Sequence, residues 1–277
     1  MQVHHLNCGT MRPPSRRLLN GTGGFFEAGL LVSHCLLAET GAGLVLVDAG
    51  IGLADITDPA ASLGARFLRQ TRPLLDPNEA AIRQVRRLGY RPQDVRHIVL
   101  THLDRDHVSG IADFPWATVH VHTSELQAAM HPRSPRERAR YRPGQWAHGP
   151  RWATYGESGG ERWFGFEAVR PPDGLPPEVL MVPLPGHTRG HAAVALDTGT
   201  TWLLHAGDAY FCRGETDPAL PRPRSTPLLR LFQRRVQHDG PTRHHNQARL
   251  RELRAAHGDQ IKIFCAHDPT ELPQLAR

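Results

Sequence analysis

The chain has 277 residues, 39% hydrophobic and 22% charged, the proportions of a globular protein with room for a sizeable core. No apolar run approaches the roughly 20 residues of a membrane-spanning helix, and the first nineteen residues lack the apolar segment of a secretory leader. The four cysteines, Cys8, Cys35, Cys212 and Cys265, form no Cys-x-x-Cys pair or disulfide pattern, so a reduced, cytoplasmic setting is expected.

The net charge is +6, and Lys262 is the single lysine among 33 basic residues. Arginine in such excess suits phosphate or nucleic-acid recognition. Its scatter along the chain fits a compositional bias better, and no nucleic-acid or membrane partner is expected. The 18 histidines are more informative, because several stand at the ends of apolar runs.

Short apolar runs bounded by turn residues read as buried strands. Residues 44–47 lead into Asp48-Ala49-Gly50. Asp76-Pro77-Asn78-Glu79 then has the pattern of a capping box with proline at the first helical position, followed by an apolar stripe of Ile82, Val85 and Leu88 and a stop at Gly89. Residues 97–100 are the next strand and end in Thr101-His102. Thr123 or Ser124 can cap a short helix running to Met130. Further on, residues 179–184 end in Pro185-Gly186-His187, 202–204 in His205-Ala206-Gly207-Asp208, and 261–265 in Ala266-His267-Asp268, with a helix capped by Asn246 before the last strand. Five strands that each deliver a polar residue at one end predict a site along one sheet edge, and their alternation with helices predicts an α/β or α+β architecture.

Residues 131–172 interrupt this order. They are rich in Arg, Pro and Gly and hold seven aromatics, among them Tyr141, Trp146, Trp152 and Trp163. A disordered linker would lack these. The insertion is therefore expected to fold over the body, as a lid shaping a pocket or as ordinary packing. Residues 213–227 are a second irregular stretch.

The strongest signal is Thr101-His102-Leu103-Asp104-Arg105-Asp106-His107, four metal-ligand side chains within six residues, directly after a strand. Two imidazoles and two carboxylates crowded into one loop are costly unless a cation compensates them, and these donors suit Zn, Mn or Fe.

On these residues the chain resembles the metallo-β-lactamase-fold hydrolases. Leu46-Val47-Asp48-Ala49-Gly50, His102 to His107, Pro185 to His191, His205 to Asp208, and Cys265 to Asp268 match the family's five motifs in order. The resemblance implies an α+β, four-layer αββα sandwich, here as one domain over 1–277, and a binuclear hydrolase site. It places one metal on His102, Asp104 and His187, and the other on Asp106, His107 and His267. Asp208 and a water or hydroxide would bridge them, and Asp48 would hold a ligand histidine. Two divalent ions are expected, zinc foremost, with Mn or Fe as rivals.

Asp104 is the departure, because most relatives carry histidine there. As a ligand it adds a negative charge, which favours harder ions and lowers Lewis acidity, and the alternative is that Asp104 stands behind the ligands and a single metal binds tightly. Asp106 is a candidate for orienting the attacking hydroxide. His191 reads either as a substrate contact or as a packed ring. Tyr210 reads either as a carbonyl-binding residue or as a core tyrosine. The expected chemistry is hydrolysis of a small-molecule ester or lactone, with the insertion suiting an apolar substrate that has one anionic end. The alternatives are a phosphodiesterase, with Arg133, Arg136, Arg138, Arg140 and Arg142 clamping phosphate, and a metal-containing binding module without turnover. A monomer and a homodimer are equally compatible with the sequence.

Overall fold

The computed structural model describes residues 1–156, 160–168, 174–220 and 224–272. The first sheet holds β1 (Val3–Met11), β2 (Leu31–Thr40), β3 (Gly43–Val47), β4 (Val95–Val99), β5 (Thr118–His122) and β6 (Arg151–Tyr155), neighbours in that order. β1 to β3 form an antiparallel meander, and β3 to β6 run parallel. Parallel neighbours need crossovers, and the helices Ala81–Arg87 and Thr123–Met130 lie in two of them.

β7 (Glu161–Trp163) and β8 (Phe166–Ala168) make a small antiparallel pair. The second sheet has the order β12-β11-β10-β9, from β9 (Val179–Pro183), β10 (Ala192–Asp197), β11 (Trp202–His205) and β12 (Ile261–Phe264).

Side-chain alternation along the strands builds the layers. Val45 and Val47 join Val179, Val194 and Leu196 in a core between the two sheets. Leu44 and Leu46 face the other way, onto Ile82, Val85 and Ala128. Ala193 and Ala195 of β10 turn outward to Leu250 and Leu253 of the helix Gly240–His257. Helix, sheet, sheet and helix therefore stack in that order. Strands covered on both faces need continuous apolar runs, which is why their sequences lack polar alternation. Among the described residues no helix is long and apolar enough to cross a membrane.

Three local expectations change. Asp76 does cap the short turn that follows, accepting from the Asn78 N–H, but Glu79 turns away and accepts from the backbone and hydroxyl of Thr10. The last helix begins earlier than expected, capped by Asp239, and Asn246 sits inside it, donating to the Pro185 carbonyl. The helix ending at Met130 is capped by the His122 side chain rather than by Thr123 or Ser124.

The insertion divides its residues between core and surface. Tyr141 and Trp146 join the outer core of the first sheet, Tyr155 the core between the sheets, and Trp163 and Phe166 the outer core of the second. Arg170, Pro171 and Pro172 lie outside the described residues.

Candidate metal centre and cavity

The strands β3, β4, β9, β11 and β12 end along one edge of the sandwich, and the loops leaving them bring the expected donors together. The nitrogens and oxygens of His102, Asp104, His187 and Asp208 lie within 4.8 Å of one another, and so do those of Asp106, His107 and His267. Asp208 joins the two groups. Its Oδ2 lies 3.3 Å from His187 Nε2 and 3.8 Å from His102 Nε2, while its Oδ1 lies 3.0 Å from His267 Nε2 and 3.3 Å from His107 Nε2.

Outside hydrogen bonds fix three of the four rings. His107 Nδ1 pairs with Asp48 Oδ2 at 2.8 Å, and His267 Nδ1 with the Val32 carbonyl at 2.7 Å. The Thr101 hydroxyl donates to Asp48, which leaves it to accept from His102 Nδ1 at 2.9 Å. Each Nε2 is thereby turned inward, the arrangement that metal-binding histidines use. His102 Nε2, His107 Nε2 and Asp208 Oδ1 are buried without a hydrogen-bond partner among the described residues. Buried polar atoms are rarely left in that state, and a cation satisfies all three.

The electrostatics agree. Burial alone would raise the Asp48 carboxyl, but the adjacent His107 ring, hydrogen-bonded to it, reverses this and holds it at about 2. Burial likewise opposes ionisation of Asp208, yet His267, His107 and His187 hold it well below the ordinary carboxylate range. The pocket is built for separated charge.

Asp104 is placed with the first group, its Oδ2 3.0 Å from His187 Nε2 and 3.5 Å from His102 Nε2. It also receives Arg140 Nη1 at 3.0 Å. This cation, carried by the insertion, offsets the charge by which Asp104 departs from histidine. Loop spacing around Asp104 gives no sign of it.

Glu125 is the other residue the sequence conceals. Fully buried on the helix Thr123–Met130, it accepts from the Leu103 N–H and the Tyr141 hydroxyl at Oε1 and from the Gly190 N–H at Oε2. One carboxylate thus ties the loop bearing His102 and Asp104 to the loop bearing His187. A glutamate in the first turn of a short helix reads as a solvated residue, and no sequence signal marks it.

Two expected site residues do not reach the cavity. His191 is buried, with Nδ1 donating to the Leu184 carbonyl and Nε2 accepting from the Asp208 N–H, and it is not among the residues that line the cavity. Tyr210 is wholly buried, donating to Glu271 and receiving Arg254, because the chain turns at Gly207 and sends Ala209 and Tyr210 into the second sheet's outer core.

Above the donors lies a cavity of about 840 Å³. Asp104, Asp106, His187 and Asp208 form its floor, and Phe67, Phe211 and Phe232 supply apolar wall. Among the described residues of the insertion, Tyr141 is the one aromatic that reaches it. Arg136, Arg140 and Arg142 line it, whereas Arg133 and Arg138 do not.

Comparison with known proteins agrees with this geometry. The sequence is 47% identical to a probable metallo-hydrolase of Mycobacterium tuberculosis over all 277 residues, covering 83% of that protein. It is 29% identical over 132 residues to the N-acyl homoserine lactonase AttM of Rhizobium radiobacter, covering 48% of this chain and 49% of that one. The fold matches a mutant of B. thuringiensis AiiA with N-decanoyl-L-homoserine bound at its active site, with a TM-score of 0.71 and 19% identity, covering 98% of this chain and 95% of that one. Residues 28–267 match the family described as the Metallo-beta-lactamase superfamily. The chain belongs to the metallo-beta-lactamase superfamily and is one of its metal-dependent hydrolases.

Proposed function

We propose that the chain is a binuclear metallo-hydrolase that cleaves an ester or lactone bond in a small molecule. The observation that carries this reading is the Asp208 carboxylate, which presents one oxygen to each of two donor groups on the floor of a substrate-sized cavity. One ion is assigned to His102, Asp104 and His187, and the other to Asp106, His107 and His267, with Asp208 shared. Four imidazoles favour zinc, and three carboxylates leave manganese and iron as rivals. Such ions supply Lewis acidity, which activates water and polarises a carbonyl.

The protein's own part is positioning. Asp48, Thr101 and the Val32 carbonyl fix the rings, His191 fixes Asp208, and Asp106, on the floor, is placed to orient the attacking water or take its proton. The lactonase relatives support the ester or lactone choice. We further read residues 1–277 as one domain, since both sheets share a core, with Pro135–Arg140 of the insertion roofing the cavity.

Elemental analysis of protein purified without chelator tests the reading, alongside an Asp104→Ala variant. Two metals per chain, reduced in the variant, and turnover of lactones over thioesters and phosphodiesters are expected. One metal or none, unchanged in the variant, sinks the binuclear assignment. Phosphodiester cleavage is the second reading, favoured by the arginines on the cavity wall, and preferential turnover of bis(4-nitrophenyl) phosphate would replace the first with it.

A further inference from the structure

Among the described residues, seven arginines line the cavity against four carboxylates. Three of those carboxylates, Asp104, Asp106 and Asp208, belong to the metal donor groups, and the fourth, Glu137, is held by Arg189 at 2.5 Å. Three more arginines are also engaged. Arg105 donates to the Ala139 carbonyl, Arg140 to Asp104 and the Val236 carbonyl, and Arg142 to the Ala61 and Ser62 carbonyls.

That leaves Arg66, Arg136 and Arg235. All three are exposed and line the cavity, and none has a hydrogen bond, ion pair or ring contact among the described residues. They come from three helices distant in sequence, Ala65–Thr71, Pro135–Arg140 and Pro227–Val236.

Local structure does not account for them. Arg66 and Arg136 are each the second residue of their helix, where a cation opposes the exposed amide end. Arg235, in the last turn, is the one whose charge its helix favours. Like charges brought to one cavity repel, and cations on its floor add to the field, which an incoming anion relieves.

We propose that Arg66, Arg136 and Arg235 form an oxyanion-binding rim for a carboxylate or phosphate group that the substrate carries away from the bond being cleaved. The substrate is then a small ester or lactone with an apolar body against Phe67, Phe211 and Phe232 and an anionic end among guanidinium forks, which suit both oxyanions. This deepens, and rests on, the reading of the cavity as the substrate site of an ester-cleaving hydrolase.

The test compares mono-4-nitrophenyl glutarate with 4-nitrophenyl butyrate, esters that differ chiefly in a distal carboxylate, on the metal-loaded full chain. The Arg66→Gln/Arg136→Gln/Arg235→Gln variant is expected to lower the charged-to-neutral ratio of kcat/KM about tenfold, mainly through KM. Sodium chloride at about 0.5 M should pull the wild-type ratio the same way. An Arg17→Gln/Arg86→Gln/Arg87→Gln variant removes the same net charge outside the cavity and should keep the ratio. The same ratio in wild type and rim variant overturns the proposal, as does an equal fall in the control variant.

If neither ester is cleaved, the ester-hydrolase reading fails separately. The rim is then tested by calorimetric titration with glutarate and with inorganic phosphate. Binding that the rim variant loses supports it, and the stronger of the two ligands identifies the oxyanion. Binding that is absent, or unchanged in the rim variant, overturns it.

Discussion

At Glu125 two carboxylate oxygens accept from backbone amides of different loops, and a neutral amide cannot do the same. In Glu125→Gln one N–H must face an NH2 group, leaving a buried donor without a partner at about 1–3 kcal/mol. We expect a loss of that size in urea unfolding, together with weaker metal retention, and an unchanged unfolding curve would refute the role. Asp104 and Arg140 form the second residue-scale test. Asp104→His leaves the Arg140 guanidinium uncompensated beside the ions, and a cation stranded in that way is unfavourable. Competition with a chelator should show about tenfold weaker metal binding, recovered when Arg140→Gln is added. Strictly additive effects of the two substitutions would separate the residues. The donors were legible in the sequence because one loop carries four of them and strand ends carry the rest. Glu125 and Arg140 were not, because each acts on residues contributed by other elements. Tyr210 and His191, each open in the sequence between a site role and a packed one, are claimed by Glu271 and the Asp208 amide for the same reason.

Among the elements, the loop from β9 to β10 depends on close approach to the helix Thr123–Met130. A Cβ on Gly190 would run into the Glu125 backbone nitrogen, nearer than real Cβ atoms come. Gly190→Ala must therefore push the His187 loop off the helix, at a cost of about 1–3 kcal/mol. It should lower both the melting temperature and the metal content, whereas Gly144→Ala, whose Cβ meets open space, should change neither. Equal behaviour of the two variants would show that the loop is not held by this contact. Gly207 is under a similar constraint. Its φ is +51°, and a Cβ there would lie 2.6 Å from His191 Nε2. Strand positions were readable because double-sided burial leaves uninterrupted apolar runs. Helix starts were less so, since Asp239 and Asn246 are equally good caps on paper and only the docking of the helix distinguishes them.

For the whole molecule, buried neutral histidines set the response to acid. Burial, assisted by His205 and His4, lowers His5 to about 4, and burial with His97 lowers His120 to about 3. The unfolded chain takes up these protons near pH 6.5, while the folded chain resists them until the lower values. Their contribution is therefore full above pH 6.5 and is lost as the pH falls toward 4 and then 3. Each unit is worth about 1.4 kcal/mol, so His5 contributes on the order of 3 kcal/mol and His120 on the order of 5 kcal/mol. His120→Gln should flatten the fall in unfolding free energy between about pH 7 and about pH 4, and a curve parallel to wild type would remove His120 from the account. The alternation of strands and helices foretold an α/β or α+β architecture and the family resemblance implied the four-layer stack, but neither foretold the division of labour between the sheets. The first sheet uses only residues up to Tyr155 and the second only residues from Val179. His102, Asp104, Asp106 and His107 therefore come from one half of the chain, and His187, Asp208 and His267 from the other. During synthesis the earlier half leaves the ribosome with four donors and no way to complete either coordination group. On the proposed assignment the second coordination group is completed only when β12 seats beside β11 and brings His267 across, so that ion would act as a clasp closed at the end of assembly. Stripping the ions should let the two sheets part along their seam before either sheet unravels.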